Sequence, residues 1–186
     1  MTQELKLVFA GSMGAGKTTA IRAISEIEPI TTEVQNTDFV EFDKEETTVA
    51  MDYGELTLQG GEKLRLYGTP GQMRFQFMWP ILASGALGAV LLIDNSRPDP
   101  LADLELYLEA FRSLADAGAA VVGVGRMDRC PQPSLEDYAE RLAQLDIVVP
   151  VMPADVRRRD DVLDILEVLF QQIEATNDVS QNAVSE

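Results

Sequence analysis

Eight consecutive residues, Gly11-Ser12-Met13-Gly14-Ala15-Gly16-Lys17-Thr18, have the types and spacing to hold a phosphate chain. They fit Gly-x-x-x-x-Gly-Lys-[Ser/Thr], in which glycines let the backbone curl until successive N–H groups point inward at phosphate oxygens. The loop follows an apolar run, Leu5 to Ala10, and opens a helical stretch from Lys17 to about Ile27, so a helix N-terminus adds partial positive charge beneath it. The backbone from Gly11 to Gly16 is the expected cradle and Thr19 continues it. Lys17 supplies a point charge to the β- and γ-phosphates, and the Thr18 hydroxyl is the expected Mg²⁺ ligand. A nucleotide with Mg²⁺ is the ligand implied; the bland alternative is a glycine-rich turn between a strand and a helix.

The elements that must position this loop alternate. Short apolar, β-branched runs are interleaved with helical patterns, which predicts an α/β domain with a mostly parallel sheet. Strands are expected at Leu5 to Ala10, Gly88 to Asp94, Ala120 to Val124 and Ile147 to Val151. Val49 to Leu58 and Lys63 to Tyr67, joined across Gly60-Gly61, read as a hairpin that interrupts the βα rhythm. Helices are expected at Leu101 to Asp116, at Ser134 to Leu145 with Ser134 as N-cap and Asp137 in the capping box, and from about Asp160 to Ala175. Residues 1–175 therefore read as one domain, and the polar stretch 176–186 as a disordered tail. Glu28 to Glu46 lacks periodicity and is long for a connection, as functional or mobile loops are.

Order and local motifs together resemble the Ras-like small GTPases, and especially their prokaryotic MglA-type branch. The resemblance covers residue 4 to about 175. It rests on the phosphate loop, the long acidic loop, the hairpin, and Tyr67-Gly68-Thr69-Pro70-Gly71-Gln72-Met73-Arg74-Phe75. It implies a P-loop NTPase fold: a six-stranded, mostly parallel sheet with one antiparallel strand and helices on both faces. It also implies GTP and GDP as ligands with Mg²⁺, and slow GTP hydrolysis serving a molecular switch. By resemblance Thr48 is the threonine that senses γ-phosphate and Mg²⁺, Gly71 offers its N–H to the γ-phosphate, and Gln72 positions the attacking water as the catalytic residue. In Gly125-Arg126-Met127-Asp128, which stands in the place of the family's Asn-Lys-x-Asp, the Asp128 carboxylate is expected to accept from guanine N1–H and N2–H₂. Arg126 is expected to stack on the base, and the Ala154 N–H to reach guanine O6. A roadblock-fold protein is the implied activator or effector.

Three departures from the family pattern bear on mechanism. Met13 stands where fast family members carry glycine, and a bulky group there crowds the approach of Gln72, so hydrolysis is expected to be slow. Gly125 removes the asparagine that contacts the purine and ties its loop to the phosphate loop. Gly68 stands where the family's metal-organising aspartate would begin its motif; the hairpin register makes Asp52 the candidate replacement, with a plain solvated strand residue as the alternative. The alternative functions are a scaffold that holds nucleotide without significant hydrolysis, and a P-loop kinase or ATPase, although no arginine-rich lid is evident.

Composition narrows the classes further. With no histidine and one cysteine, Cys130, a Cys/His zinc site, a disulfide framework and imidazole base catalysis are excluded. A net charge of −16 argues against nucleic acid as partner. Ten acids against Lys44 between Glu26 and Glu55 form either a solvated loop or a docking surface for a basic patch. No run is long and apolar enough for a membrane span, and no leader is apparent at Met1 to Lys6, so a reducing cytoplasm is the expected compartment. Phe75, Phe77, Met78 and Trp79, close behind Gln72, read either as core or as a partner-binding patch.

Overall fold

The computed structural model describes residues 4–34 and 49–183, and in it one sheet carries all the strands described. The strands are β1 (Glu4–Ala10), β2 (Ile30–Val34), β3 (Val49–Thr57), β4 (Lys63–Gly68), β5 (Gly88–Asp94), β6 (Ala120–Gly125) and β7 (Val151–Pro153). They lie in the order β2-β3-β4-β1-β5-β6-β7. Only β3 runs against its neighbours; the pairs β1·β4, β1·β5, β5·β6 and β6·β7 are parallel. The six strands read from the sequence are all present. A seventh, β2, forms an edge inside the stretch read as an aperiodic loop, pairing Thr31 with Asp52 and Val34 with Val49. Its residues Ile-Thr-Thr-Glu-Val are largely β-branched, which suits a pleated edge.

Helices α1 (Lys17–Ile24), α2 (Trp79–Ala83), α3 (Pro100–Ala110), α4 (Arg112–Asp116), α5 (Leu135–Gln144) and α6 (Arg159–Ala183) cover both faces. The alternation of β1 assigns the layers: Leu7 and Phe9 pack with Ile21, Ile24, Val162, Ile165 and Leu169 from α1 and α6. Val8 and Ala10 pack on the other face with Leu104, Tyr107, Phe111 and Tyr138. Every residue of β5 is buried, as a strand covered on both faces requires. Buried Val162, Ile165, Leu166 and Leu169 give α6 the i, i+3, i+4, i+7 stripe of an amphipathic helix.

Besides α1, which stops at Ile24 and not about Ile27 because Ser25 turns extended (ψ 139°), three boundaries differ from expectation for local reasons. The single helix expected over 101–116 divides at Phe111, whose backbone leaves the helical region (φ −112°, ψ 24°) while its ring is fully buried. The last strand lies at 151–153 and not 147–151, because Asp146 takes a positive φ of 54° and the Ile147 N–H turns back to the Leu142 carbonyl. Ile147 and Val149 still reach the core as buried side chains. Finally, α6 continues past Ala175 to Ala183, through much of the stretch expected as a tail. Thr176 seats against Gly118, where an added Cβ would fall 2.5 Å from its Oγ1, so the helix is still packed at the first residue past its expected end. The Ser134/Asp137 capping box forms as expected.

Candidate nucleotide-binding site

At the carboxyl end of β1, between β4 and β5, the strand order reverses, which is where open α/β sheets place ligands. The loop after β1 curls there as its glycines allow. Gly14 and Gly16 have φ of 83° and 99°, and a Cβ on Gly16 would lie 2.6 Å from Val156. The cradle is therefore backed by the turn that leads into α6. Lys17, buried at 7% exposure, folds its Nζ over the loop and donates to the carbonyls of Gly11 (2.6 Å) and Ser12 (2.8 Å). Burial lowers its pKa to about 8, with the Asp52 carboxylate opposing that shift. The hydroxyls of Ser12 and Thr69, both buried, have no hydrogen-bond partner among the described residues. Such orphaned groups beside an inward-facing nest fit an oxygen-rich ligand.

The segment after β4 closes the phosphate end. The Thr69 N–H donates to Phe9 (2.9 Å) and Trp79 Nε1 to the Pro70 carbonyl (3.2 Å), which fixes the chain as it passes the loop. A Cβ on Gly71 would lie 2.7 Å from Met13 N and 2.9 Å from Lys17 Nζ, so only glycine permits this approach. Gln72 follows, exposed, ahead of a 3₁₀ turn over Met73–Met78. Met13 is 67% exposed at the loop tip beside this segment. The aromatic and methionine cluster divides: Phe75, Met78 and Trp79 are buried in the core, while Phe77 and Met73 are about half exposed.

The metal candidates come together in part. Thr18 Oγ1 donates to Asp52 Oδ2. Asp52 faces Gly68 directly across the β3·β4 ladder, and a Cβ on Gly68 would fall 3.2 Å from Asp52 Oδ2. The carboxylate thus occupies the space that a side chain at Gly68 would need. Thr48 lies outside the described residues, as does most of the acidic loop. Among the described residues no three Asp, Glu, Cys or His side chains cluster as a metal cage. A Mg²⁺ that takes few protein ligands and keeps phosphate and water oxygens fits this arrangement.

From Gly14, Gly16 and Thr19 a cavity of about 550 Å³ runs to Asp128, walled by Ala154, Val156 and Arg157. Asp128 is exposed at its rim, 3.8 Å from Arg129. Arg126 lines the cavity, but its guanidinium is held to one side: it donates to the Gly14 carbonyl (3.0 Å), to Ser96 Oγ (3.0 Å) and to Asp94. Burial pushes the Asp94 carboxyl up, yet hydrogen bonds from Ser96 and the Arg126 charge outweigh it and keep it below the usual range. The expectation for Ala154 fails here. Its N–H donates to the Val124 carbonyl (2.9 Å) as the last bond beside the β6·β7 ladder, so Ala154 serves as a buried wall and offers no donor to a purine oxygen. The Asp155 N–H is likewise engaged, by Asp161 (3.0 Å).

Sequence reasoning missed Asp94 and Arg157. Asp94 read only as a turn residue at the end of a strand; it closes a turn through Ser96 and also anchors Arg126. Arg157, one of three consecutive arginines, lines the cavity and pairs through two hydrogen bonds with Asp155, whose pKa falls to about 2 on account of that pairing. The arginine run itself carried no signal separating Arg157 from Arg158, which pairs with Asp161, or from Arg159, which donates to the Ala23 carbonyl.

Residues 28–171 match the family model described as "conserved hypothetical ATP binding protein". The chain is 34% identical over 94 residues to an uncharacterized protein of Methanocaldococcus jannaschii, an alignment covering 50% of this chain and 53% of that one, so it spans about half that relative's length. It is 26% identical to the Ras-related protein Rab-18 of Lymnaea stagnalis, over 91% of this chain and 80% of the other. Among solved structures, the G domain of the T. maritima FeoB iron transporter superposes with a TM-score of 0.62 at 17% identity, covering 94% of this chain and 99% of that one. The fold is that of this G domain. Among the described residues no helix is long and apolar enough to cross a membrane.

Proposed function

Because this chain belongs to the family described as conserved hypothetical ATP binding protein, we propose a nucleotide-binding role for its site, with guanine in place of adenine as the base. The observation that carries this reading is the single cavity joining Gly14, Gly16 and Thr19 of the phosphate loop to Asp128 at its far rim. A carboxylate there accepts from two guanine donors that adenine does not present together. The backbone from Gly11 to Gly16, with Lys17, holds the phosphates; the stem of Arg126 lies under the base; Asp128 reads it. Similarity to the GTP-binding protein ypt4 of Schizosaccharomyces pombe, 27% identical over 73% of this chain and 57% of that one, supports the guanine choice.

Thr18 would hold Mg²⁺ directly, with Asp52 supporting it through the Thr18 hydroxyl, and Thr48 would be a further ligand by sequence resemblance. When bound, the ion neutralises charge that develops on the phosphates. Gln72 positions the attacking water. Met13 crowds that approach, so the isolated protein is a slow GTPase, below the enzyme median of about 10 s⁻¹. It acts as a cytoplasmic switch of the MglA-type branch, with a roadblock-fold partner stimulating turnover at the exposed face of Gln72, Met73 and Phe77. The branch and the partner rest on sequence resemblance alone.

Adenine is the second reading. Besides the family description, two observations favour it: Gly125 lacks the expected asparagine, and the Ala154 N–H is committed to Val124. Calorimetric titration with GDP, GTP and ATP in Mg²⁺ decides. The guanine reading requires GTP to bind at least tenfold more tightly than ATP, about 1.4 kcal/mol; equal binding overturns it.

A further inference from the structure

The loop that carries Asp128 is organised by Arg126, through both backbone and side chain. The backbone of Arg126 is left-handed, φ 63°, a region that a residue with a Cβ seldom occupies, and its carbonyl accepts from the N–H groups of Arg129 (3.1 Å) and Cys130 (2.9 Å). Asp128 thus lies inside a tight turn that starts at Arg126. The same residue's guanidinium reaches Gly14 of the phosphate loop, Ser96 and the buried carboxylate of Asp94 at the end of β5. The far side of the loop is tied to β5 as well, since Asn95 Nδ2 donates to the carbonyls of Cys130 (2.7 Å) and Pro133 (2.9 Å) and its Oδ1 accepts from the Tyr138 hydroxyl (2.7 Å). Gly125 takes no part through a side chain, although one would fit: a Cβ there would meet nothing nearer than 3.7 Å.

We infer that the Asp94–Arg126 pair is the positioning device for base recognition, locking the Asp128 turn to the phosphate loop from the end of β5. This rests on the guanine reading above. Asp94 does not line the cavity, so it acts only through Arg126. Both terminal nitrogens of Arg126 are used, NH1 on Asp94 and Ser96 and NH2 on Gly14, and a lysine ammonium has no planar fork to serve both sides. In Asp94→Asn the Oδ1 that accepts from Ser96 is retained, while the Oδ2 that accepts from Arg126 is replaced by an NH2 that cannot, so both the charge and the acceptor facing Arg126 are lost.

The test is the affinity ratio of GDP to IDP, each with Mg²⁺, in the wild type, Asp94→Asn, Arg126→Lys and the double variant, with thermal melts alongside. IDP lacks the 2-amino donor and leaves one Asp128 oxygen unmet, so the wild type should prefer GDP by about tenfold or more. Each single variant should bring the ratio to about threefold or less, and the double variant should be no lower than either single, because both break one chain of contacts. A merely structural role would lower melting temperatures and weaken both nucleotides equally; an unchanged ratio in both single variants overturns the inference. Equal binding of GDP and IDP by the wild type overturns the guanine reading, and the inference with it.

Discussion

Replacing Asp52 tests the metal arrangement most sharply, because its contacts state in advance which rescue should work. Asp52→Ala removes the acceptor of the Thr18 hydroxyl and the anion that holds up the charge of Lys17. Losing an outer partner of a metal ligand costs about 10- to 100-fold in metal affinity, or about 1.4 to 2.7 kcal/mol. The Mg²⁺ concentration that half-restores tight GDP binding should rise by that factor, read from fluorescent-nucleotide binding at graded free Mg²⁺. Returning an acid at position 68 should recover the loss only if there is room for it. In the wild type, a Cβ on Gly68 would meet Asp52 Cβ at 3.1 Å and Asp52 Oδ2 at 3.2 Å. Asp52→Ala relieves only the second contact, whereas Asp52→Gly relieves both. Gly68→Asp should therefore rescue Asp52→Gly better than Asp52→Ala, and should by itself destabilise the protein through crowding and paired carboxylates, by about 1–3 kcal/mol. Equal Mg²⁺ requirements in the wild type and Asp52→Ala would refute the reasoning outright.

Asp128→Asn replaces an acceptor by a donor and should shift preference from guanine to xanthine nucleotides, measured by competition; retained GTP preference would remove Asp128 from base reading. Gln72→Ala should leave nucleotide affinity within about twofold while abolishing partner-stimulated phosphate release, as expected of a group that acts in the transition state. In nucleotide-free protein Lys17 titrates near 8, against an ordinary 10.5 when unfolded, so between these values the unfolded chain binds the extra proton and stability rises with pH. Relative to Lys17→Met, the wild type should gain up to about 2 kcal/mol from pH 8 to 10, and parallel denaturation curves would contradict the burial of its charge. Gly118→Ala places a Cβ at a positive φ of 68° and 2.5 Å from Thr176 Oγ1, and should cost about 1–3 kcal/mol by urea denaturation if α6 is docked there.

What could be read in advance was local. The phosphate loop is specified by the spacing of its own glycines and by the strand and helix that flank it; the hairpin follows from Gly60-Gly61 between β-rich runs; the Ser134 cap needs only Asp137 three residues on. The register of Asp52 against Gly68 followed because a short hairpin leaves few alternatives. Features that depend on distant partners were illegible. Strand β2 exists because β3 offers it an edge, and nothing within Ile30–Val34 announces that partner. The division at Phe111 and the late start of β7 reflect where rings and aliphatic groups enter the core. The commitment of the Ala154 N–H depends on β7 pairing with β6 over 151–153, beyond the run 147–151 expected from the sequence. The role of Arg126 requires a left-handed backbone that no propensity assigns to arginine, together with a carboxylate 32 residues away.

The strand order also implies a sequence of loosening. β1 and β5 are paired on both sides and covered on both faces, whereas β2 is, among the described residues, an edge paired to β3 alone. Amides of β1 and β5 should exchange with deuterium last, near the global unfolding limit, and those of β2 first, through small local openings. Asp52 stands on β3, one strand in from that edge, while Lys17 and Thr18 hang from β1 at the centre. Fraying from the edge thus reaches the carboxylate beside Thr18 well before it reaches the phosphate loop. If Mg²⁺ and nucleotide bind as proposed, the cation's support would loosen while the phosphate grip is still formed, and a protein docking along β2 would slow that loosening by giving the strand a second neighbour.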